Sequence, residues 1–507
     1  MRGRRAVAAT FVAALLAGCG DPVLWSRWQA ERALYHAARS VRGAEAGDPR
    51  EAGPERAAAQ RRLDDIVSRF PASRWGAPPA HGPARDVALA SARASLSLAR
   101  LAASAGEDER ALQLWREALA RWSALPGVVV TARAGSARAL DRLGRFDEAL
   151  RERMALALLD PLGDPDRTGP VRQVLDAPVA VAAELRELGR PGEAAEILAS
   201  ADATFAAALS RARPADASAL AGALARIRLA RGNAPGALAA LRHPLATQRA
   251  WERPAQAVAL AACALEGGVP DSAISYARWA ASATNSRTVA GAALLLAARA
   301  WEAMGRNDSA FATYDALFDR WTDPGLVGPE AHFRRARLLE QLGQWQRARA
   351  EFVALAAAAP SHPYAFKAML RVVEHHVGAG ELDLARLEGE NAVERMDYLL
   401  STNRDARFQR EAGVARAELL SDLGSFAPAE SSLVDLWRRF PEDSTTESGA
   451  LRAASLAERR PGGRATAVAI YEELARRAIS ASVRRTAARN LGALGSTGAS
   501  ARGGGRP

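Results

Sequence analysis

The chain is poor in cysteine, lysine and aromatic residues, and each shortage narrows what it does. Two cysteines, Cys19 and Cys263, in 507 residues exclude a disulfide framework and the paired CxxC arrangements of zinc or redox sites. A single bridge between them is open on spacing alone. Lys367 is the only lysine, so there is no glycine-rich phosphate loop with its lysine; H-E-x-x-H and G-x-S-x-G patterns are absent too. Aromatic residues make up 6% of the chain. No sustained alternation of β-branched residues appears, which leaves strands unsupported.

What is present is a quarter charged and about half apolar, a globular composition too long for one ordinary core. Glycine and proline fall between apolar-periodic segments rather than inside them, so the reading is all-α. The net charge is +11. Arg2, Arg4 and Arg5 supply three of those charges, so a chain lacking them carries 11 − 3 = +8. The acids are interspersed among the arginines and form no basic block, so nucleic acid is not an expected partner. Seven histidines are scattered: His36, His81, His243, His332, His362, His375 and His376. Adjacent His375 and His376 face different sides of a helix and do not make the i, i+4 pair that binds metal. No cofactor, metal site or catalytic residue is expected.

The chain opens "MRGRRAVAATFVAALLAGCGDP". A basic start, an apolar run from Ala6 to Leu16 and small residues after it make a secretory signal pattern, too short for a spanning helix of about 20 residues. Leu16-Ala17-Gly18-Cys19 resembles the lipobox of bacterial lipoproteins. The resemblance implies that residues 1–18 are removed, that Cys19 is lipidated, and that 19–23 form a tether in the cell envelope facing the periplasm. Gly20 follows the cysteine and Asp21 comes one place later. By the enterobacterial sorting rule that favours the outer membrane. Cys263 is then a lone thiol, expected to be buried.

One arrangement recurs. Gly144, Gly189, Gly232, Gly268, Gly305, Gly343, Gly380 and Gly424 each have an alanine five residues later: Ala149, Ala194, Ala237, Ala273, Ala310, Ala348, Ala385 and Ala429. Seven residues before each glycine stands Ala137, Ala182, Ala225, Ala261, Ala298, Ala336 or Ala417, with Val373 the exception. Phe146, Trp345 and Phe426 follow three of the glycines by two residues, and Pro161, Pro360 and Pro441 follow them by seventeen. This predicts a helix ended by glycine in a left-handed conformation, a tight turn and a second helix stopped by proline. Small residues on both helices let the axes approach, and the aromatic is expected to fill the gap beside the turn. Looser units appear at Gly53 with Ala58, at Gly106 with Ala111, and at Gly462 with Ala467 and Tyr471.

The pattern resembles the tetratricopeptide repeat in its alanines, turn glycine, aromatic and terminal proline. The glycine-to-glycine intervals are 45, 43, 36, 37, 38, 37, 44 and 38 residues, longer than the ~34 of the standard repeat, and the early tryptophan is mostly missing, so the array is divergent. The resemblance implies a right-handed superhelical solenoid of about ten or eleven helix-turn-helix units over residues 24–480. Residues 481–495 read as a capping helix, with "VRRTAARNLGAL" inside it, and 496–507 as a disordered tail. Residues 71–86 and 161–170 read as proline-rich loops.

Glu447-Ser448 matches the catalytic Glu-Ser pair of soluble lytic transglycosylases, whose catalytic domain follows a helical superhelix. The Gly-Leu-Met-Gln segment that family needs is absent, so Glu447 reads as a first-turn carboxylate. A binding surface remains. In tetratricopeptide arrays the first helices line the concave face, and one lining position lies six residues before the glycine. Here it holds Arg138, Ala183, Arg226, Ala262, Arg299, Arg337, Glu374 and Glu418. Arg138, Arg226, Arg299 and Arg337 are therefore the candidate binding residues, suited to bidentate capture of carboxylate or phosphate. The expected function is a membrane-anchored scaffold for protein partners, in cell-envelope assembly. The alternative is a non-catalytic peptidoglycan-binding or accessory protein.

Overall fold

A computed structural model describes residues 22–46, 53–163, 172–246, 250, 252–320, 327–441 and 443–502. Residues 1–18, Cys19 and most of the 161–170 segment lie outside them. The described residues hold helices and connecting turns, with no strand. The chain divides into two compact units, Met1–Arg231 and Gly232–Pro507.

In the first unit, α1 (Pro22–Ala46) pairs with α2 (Gly53–Arg69), and a single turn, α3 (Ala72–Trp75), follows. Then come the hairpins α4/α5 (Pro83–Ser104, Asp108–Arg121), α6/α7 (Pro126–Arg142, Phe146–Ala157) and α8/α9 (Arg172–Glu187, Pro191–Arg211), and then α10 (Pro214–Ala230). The second unit opens with α11 (Ala234–Arg242) and a 3₁₀ turn. Six hairpins follow: α12/α13 (Arg253–Glu266, Pro270–Ser282), α14/α15 (Arg287–Ala303, Asn307–Arg320), α16/α17 (Gly328–Gln341, Trp345–Ala358), α18/α19 (Pro363–Gly378, Leu382–Thr402), α20/α21 (Ala406–Asp422, Phe426–Arg439) and α22/α23 (Ser444–Arg459, Arg464–Arg477). The closing helix is α24 (Ala481–Arg502).

The repeated glycine makes each hairpin. All eight anchor glycines, with Gly106 and Gly462, have φ between 67° and 77°. A side chain there costs roughly 1–2 kcal/mol. At Gly144 the amide of Arg145 donates to the Leu140 carbonyl at 2.9 Å and that of Gly144 to Asp141 at 3.1 Å. These two bonds satisfy carbonyls that the ending helix leaves open. The same pair recurs at Gly106, Gly189, Gly268, Gly305, Gly343, Gly380 and Gly424. Gly53 differs: it starts α2 instead of ending a helix.

The alanines close the hairpins. Seven of the eight that follow the anchor glycines are 0% exposed and Ala385 is 3% exposed. The preceding set, Val373 included, is no more than 4% exposed. The first helix of one hairpin also touches that of the next: α4 with α6 and α8 with α10 in one unit; α12 with α14, and α16, α18, α20, α22 and α24 in series, in the other. Units of this kind share their core with their neighbours. Glycine makes room for one large ring: Trp115 of α5 lies over Gly135 of α6, where a Cβ would come within 2.4 Å of Cε2.

Three local readings need adjustment. Proline does not bar helix from all of 71–86: Pro83 begins α4, because the first helical position needs no amide hydrogen. The last helix runs on to Arg502, since no proline interrupts 481–502 and the glycine run begins at Gly503. The turn aromatics are not uniform plugs, for Phe426 is 40% exposed.

Candidate functional site

The first helices of successive hairpins carry the candidate surface. Its side chains are set by position relative to the turn glycine. The residue seven before the glycine is core, so the residue six before lies one step around the helix, toward solvent.

In the first unit Arg138 of α6 is exposed, its Nε donating to the Ala134 carbonyl at 3.3 Å. Arg226 of α10 pairs with Asp176 of α8 at 2.8 Å, each about half exposed. Deeper, Arg153 of α7 reaches Asp141 and Glu184, each at 2.7 Å, tying α7 to α6 and α8.

In the second unit Arg299 of α14 and Arg337 of α16 are half-buried. Arg337 lies 3.6 Å from Glu340, which is 8% exposed. Glu340 is the centre of the richest polar cluster on this face. It accepts from Arg371 Nε of α18 at 2.8 Å and meets His375 Nδ1 at 3.0 Å. Arg371 also holds Glu374 at 3.0 Å. The His375 ring lies flat on Trp345, with centroids 3.4 Å apart and planes 7° apart. Burial raises the Glu340 pKa, but hydrogen bonds from Arg371 and His375 and the charges of Arg371 and Arg337 outweigh it, and the carboxyl sits below its ordinary range. Glu302 of α14 accepts from the buried Tyr314 hydroxyl and lies 3.8 Å from Arg334 of α16. Arg334 also pairs with Glu330 at 2.7 Å. Toward the C-terminus, Arg452 of α22 pairs with Glu418 of α20.

Within each unit the predicted arginines therefore sit among charges of both signs, with Arg226 and Arg337 already facing carboxylates. Arg138 and Arg226 belong to one unit, Arg299 and Arg337 to the other. The rungs themselves had a signal in the sequence. Glu302 and Glu340 stand three residues before their glycines, and Arg334 and Arg371 nine before theirs. Such a surface presents both signs of charge on a preformed backbone and suits polypeptide recognition by hydrogen bonds and ion pairs.

Other candidate chemistry is accounted for. His376 turns to Glu381 at 2.6 Å, perpendicular to His375. No group of three metal-binding side chains occurs among the described residues. Cys263 is 5% exposed, and burial, with Glu266 nearby, pushes its thiol up to about 11. Glu447 is 2% exposed and accepts the amides of Ile479 and of Ser480, the latter at 3.0 Å. It closes the turn into α24. Among the described residues no helix is long and apolar enough to cross a membrane.

No protein-family model matches the chain, and no curated protein does. Solved structures do resemble it. Yeast Tom70 is 13% identical, with 88% of this chain and 97% of that one covered, at a TM-score of 0.40. A tetratricopeptide repeat protein from Parabacteroides merdae is 17% identical over 45% of this chain and 80% of that one, at 0.29. PilW, described as a widely conserved type IV pilus biogenesis factor, is 18% identical over 46% of this chain and 97% of that one, at 0.28. The all-α helical repeat fold rests on the hairpins themselves.

Proposed function

We propose that the chain is a lipid-anchored scaffold facing the periplasm, which captures protein partners along its first-helix faces and performs no chemistry of its own. The observation that carries this reading is the repeat itself. Alanine-packed hairpins hold side chains in fixed register, and Arg226–Asp176, Arg334–Glu302 and Arg371–Glu340 place charged rungs between successive first helices. Within each unit, a surface carrying both signs of charge fits an extended or helical polypeptide better than a small molecule. The anchor rests on Leu16-Ala17-Gly18-Cys19, and Gly20 after the cysteine favours the outer membrane. Glu447, committed to two backbone amides, argues against glycan cleavage.

The test is cross-linking in living cells, followed by recovery of the protein from solubilised membranes. A defined protein captured in stoichiometric amount supports the scaffold and names its pathway. Cell-wall fragments captured without protein would overturn it in favour of a peptidoglycan-binding role. Glycan cleavage by the purified protein would overturn the non-catalytic part.

A further inference from the structure

Helix α1 has an aromatic ridge that its own unit does not use. Its packed stripe, Val23, Ala30, Ala33, Leu34 and Ala37, lies against the core shared with α2 and α4. On the opposite side Leu24, Trp25, Trp28 and Tyr35 are 40%, 46%, 47% and 59% exposed. At about 100° per residue, these four side chains and those of Arg32 and Arg39 share roughly a 100° arc, turned away from Ala30 and Ala37. The two indoles stack on each other, with centroids 4.9 Å apart and planes 20° apart. The Arg32 guanidinium covers Trp28 at 5.0 Å. Trp279 is the one other tryptophan of comparable exposure among the described residues.

The ridge's composition and place in the chain indicate its occupant. Tryptophan and tyrosine bearing arginine nearby are the residues that settle at a membrane–water boundary, with rings among the headgroups and cations toward phosphate. Arg32 and Arg39 lie within the ridge's arc, which complements an anionic headgroup surface. Cys19 precedes Trp25 by six residues, and six residues extend at most about 20 Å. A lipid on Cys19 would therefore hold Trp25 within about that distance of the bilayer.

We propose that the α1 ridge of Leu24, Trp25, Trp28 and Tyr35 lies in the headgroup layer of the membrane that holds Cys19, as a second contact that fixes the orientation of the first unit on the bilayer. This rests on the reading of Cys19 as lipidated. A lipobox cysteine carries more than one acyl chain, which anchors stably by itself; what a ridge beside the anchor adds is a restriction on swivelling.

The experiment uses the full mature protein, recovered from membranes and reconstituted into vesicles of phosphatidylethanolamine and phosphatidylglycerol with brominated acyl chains. Tryptophan emission is compared between the native protein and the Trp25→Ser/Trp28→Ser double variant, with the mass of the N-terminal peptide reporting lipid on Cys19. Both rings are exposed, so circular dichroism is expected to be unchanged. The expected result is bromine quenching in the native protein that the double variant loses almost entirely. Equal quenching in both would overturn the ridge contact, while a lipid-bearing peptide would leave the anchor standing. An unmodified Cys19 would overturn the anchor and this proposal with it. A protein adduct from a photo-reactive residue at position 28 in cells, without vesicle quenching, would also overturn the proposal in favour of a protein partner.

Discussion

Glycine-to-alanine substitution should change sign with position in this protein, and the difference isolates the turn geometry. Gly144 has φ 76° with no atom within 4 Å of an added Cβ, so an alanine there meets only backbone strain. That strain is roughly 1–2 kcal/mol, partly offset by about 0.4–1 kcal/mol from a stiffer unfolded chain. The net expectation for Gly144→Ala is a loss of about 1 kcal/mol. Gly222 lies inside α10, has no positive φ, and also has nothing within 4 Å. Gly222→Ala should gain roughly 0.5–1 kcal/mol from helix propensity. For a unit of this size 1 kcal/mol moves the midpoint by roughly 2–4 °C, so the two variants should melt about 3–8 °C apart. The assay is thermal and urea unfolding followed by far-ultraviolet circular dichroism. Equal midpoints, or a stabilised Gly144→Ala, would refute the claim that these glycines are retained for left-handed backbone.

Other outcomes follow from the same geometry. Gly135→Ala should destabilise by about 1–3 kcal/mol despite better helix propensity, because the new methyl meets the Trp115 ring; urea midpoints check it. Glu340 has its pKa lowered, so its contribution is present above the ordinary carboxylate range and is lost as pH falls from about 4 through the depressed value; Glu340→Gln should flatten that part of the pH–stability curve. Glu447→Ala strands the Ile479 and Ser480 amides and should cost about 1–3 kcal/mol, read as faster hydrogen exchange in α22 and α24. Cys263, buried with its thiol near 11, should resist alkylation at neutral pH and react when the second unit is unfolded in urea.

The hairpins were legible because their causes are local. A left-handed glycine and two small residues at fixed distances are written in one stretch of chain, and the sixteen flanking positions are all nearly or fully buried. The surface was less legible because its contacts join hairpins: Arg371 finds Glu340 across 31 residues and Arg226 finds Asp176 across 50. Reading one position at a time showed arginines at that register but not their carboxylates. Glu447 shows the converse. Its neighbours at 479 and 480 explain it, and no motif around it does. Trp345 was expected to fill a turn and instead carries His375 on its face. That contact depends on the crossing of α17 and α18, which no single repeat encodes.

Partners held along the first-helix faces would lie within reach of side chains there and not of those on the second helices. The most direct measurement places a photo-reactive amino acid in living cells at positions 226 and 337 on first helices, and at positions 113 and 278 on exposed sites of second helices. Binding along these faces predicts a defined protein adduct from 226 and from 337, in each case strong, and none from 113 or 278. Adducts of equal strength from all four positions, or none from 226 and 337, would contradict it.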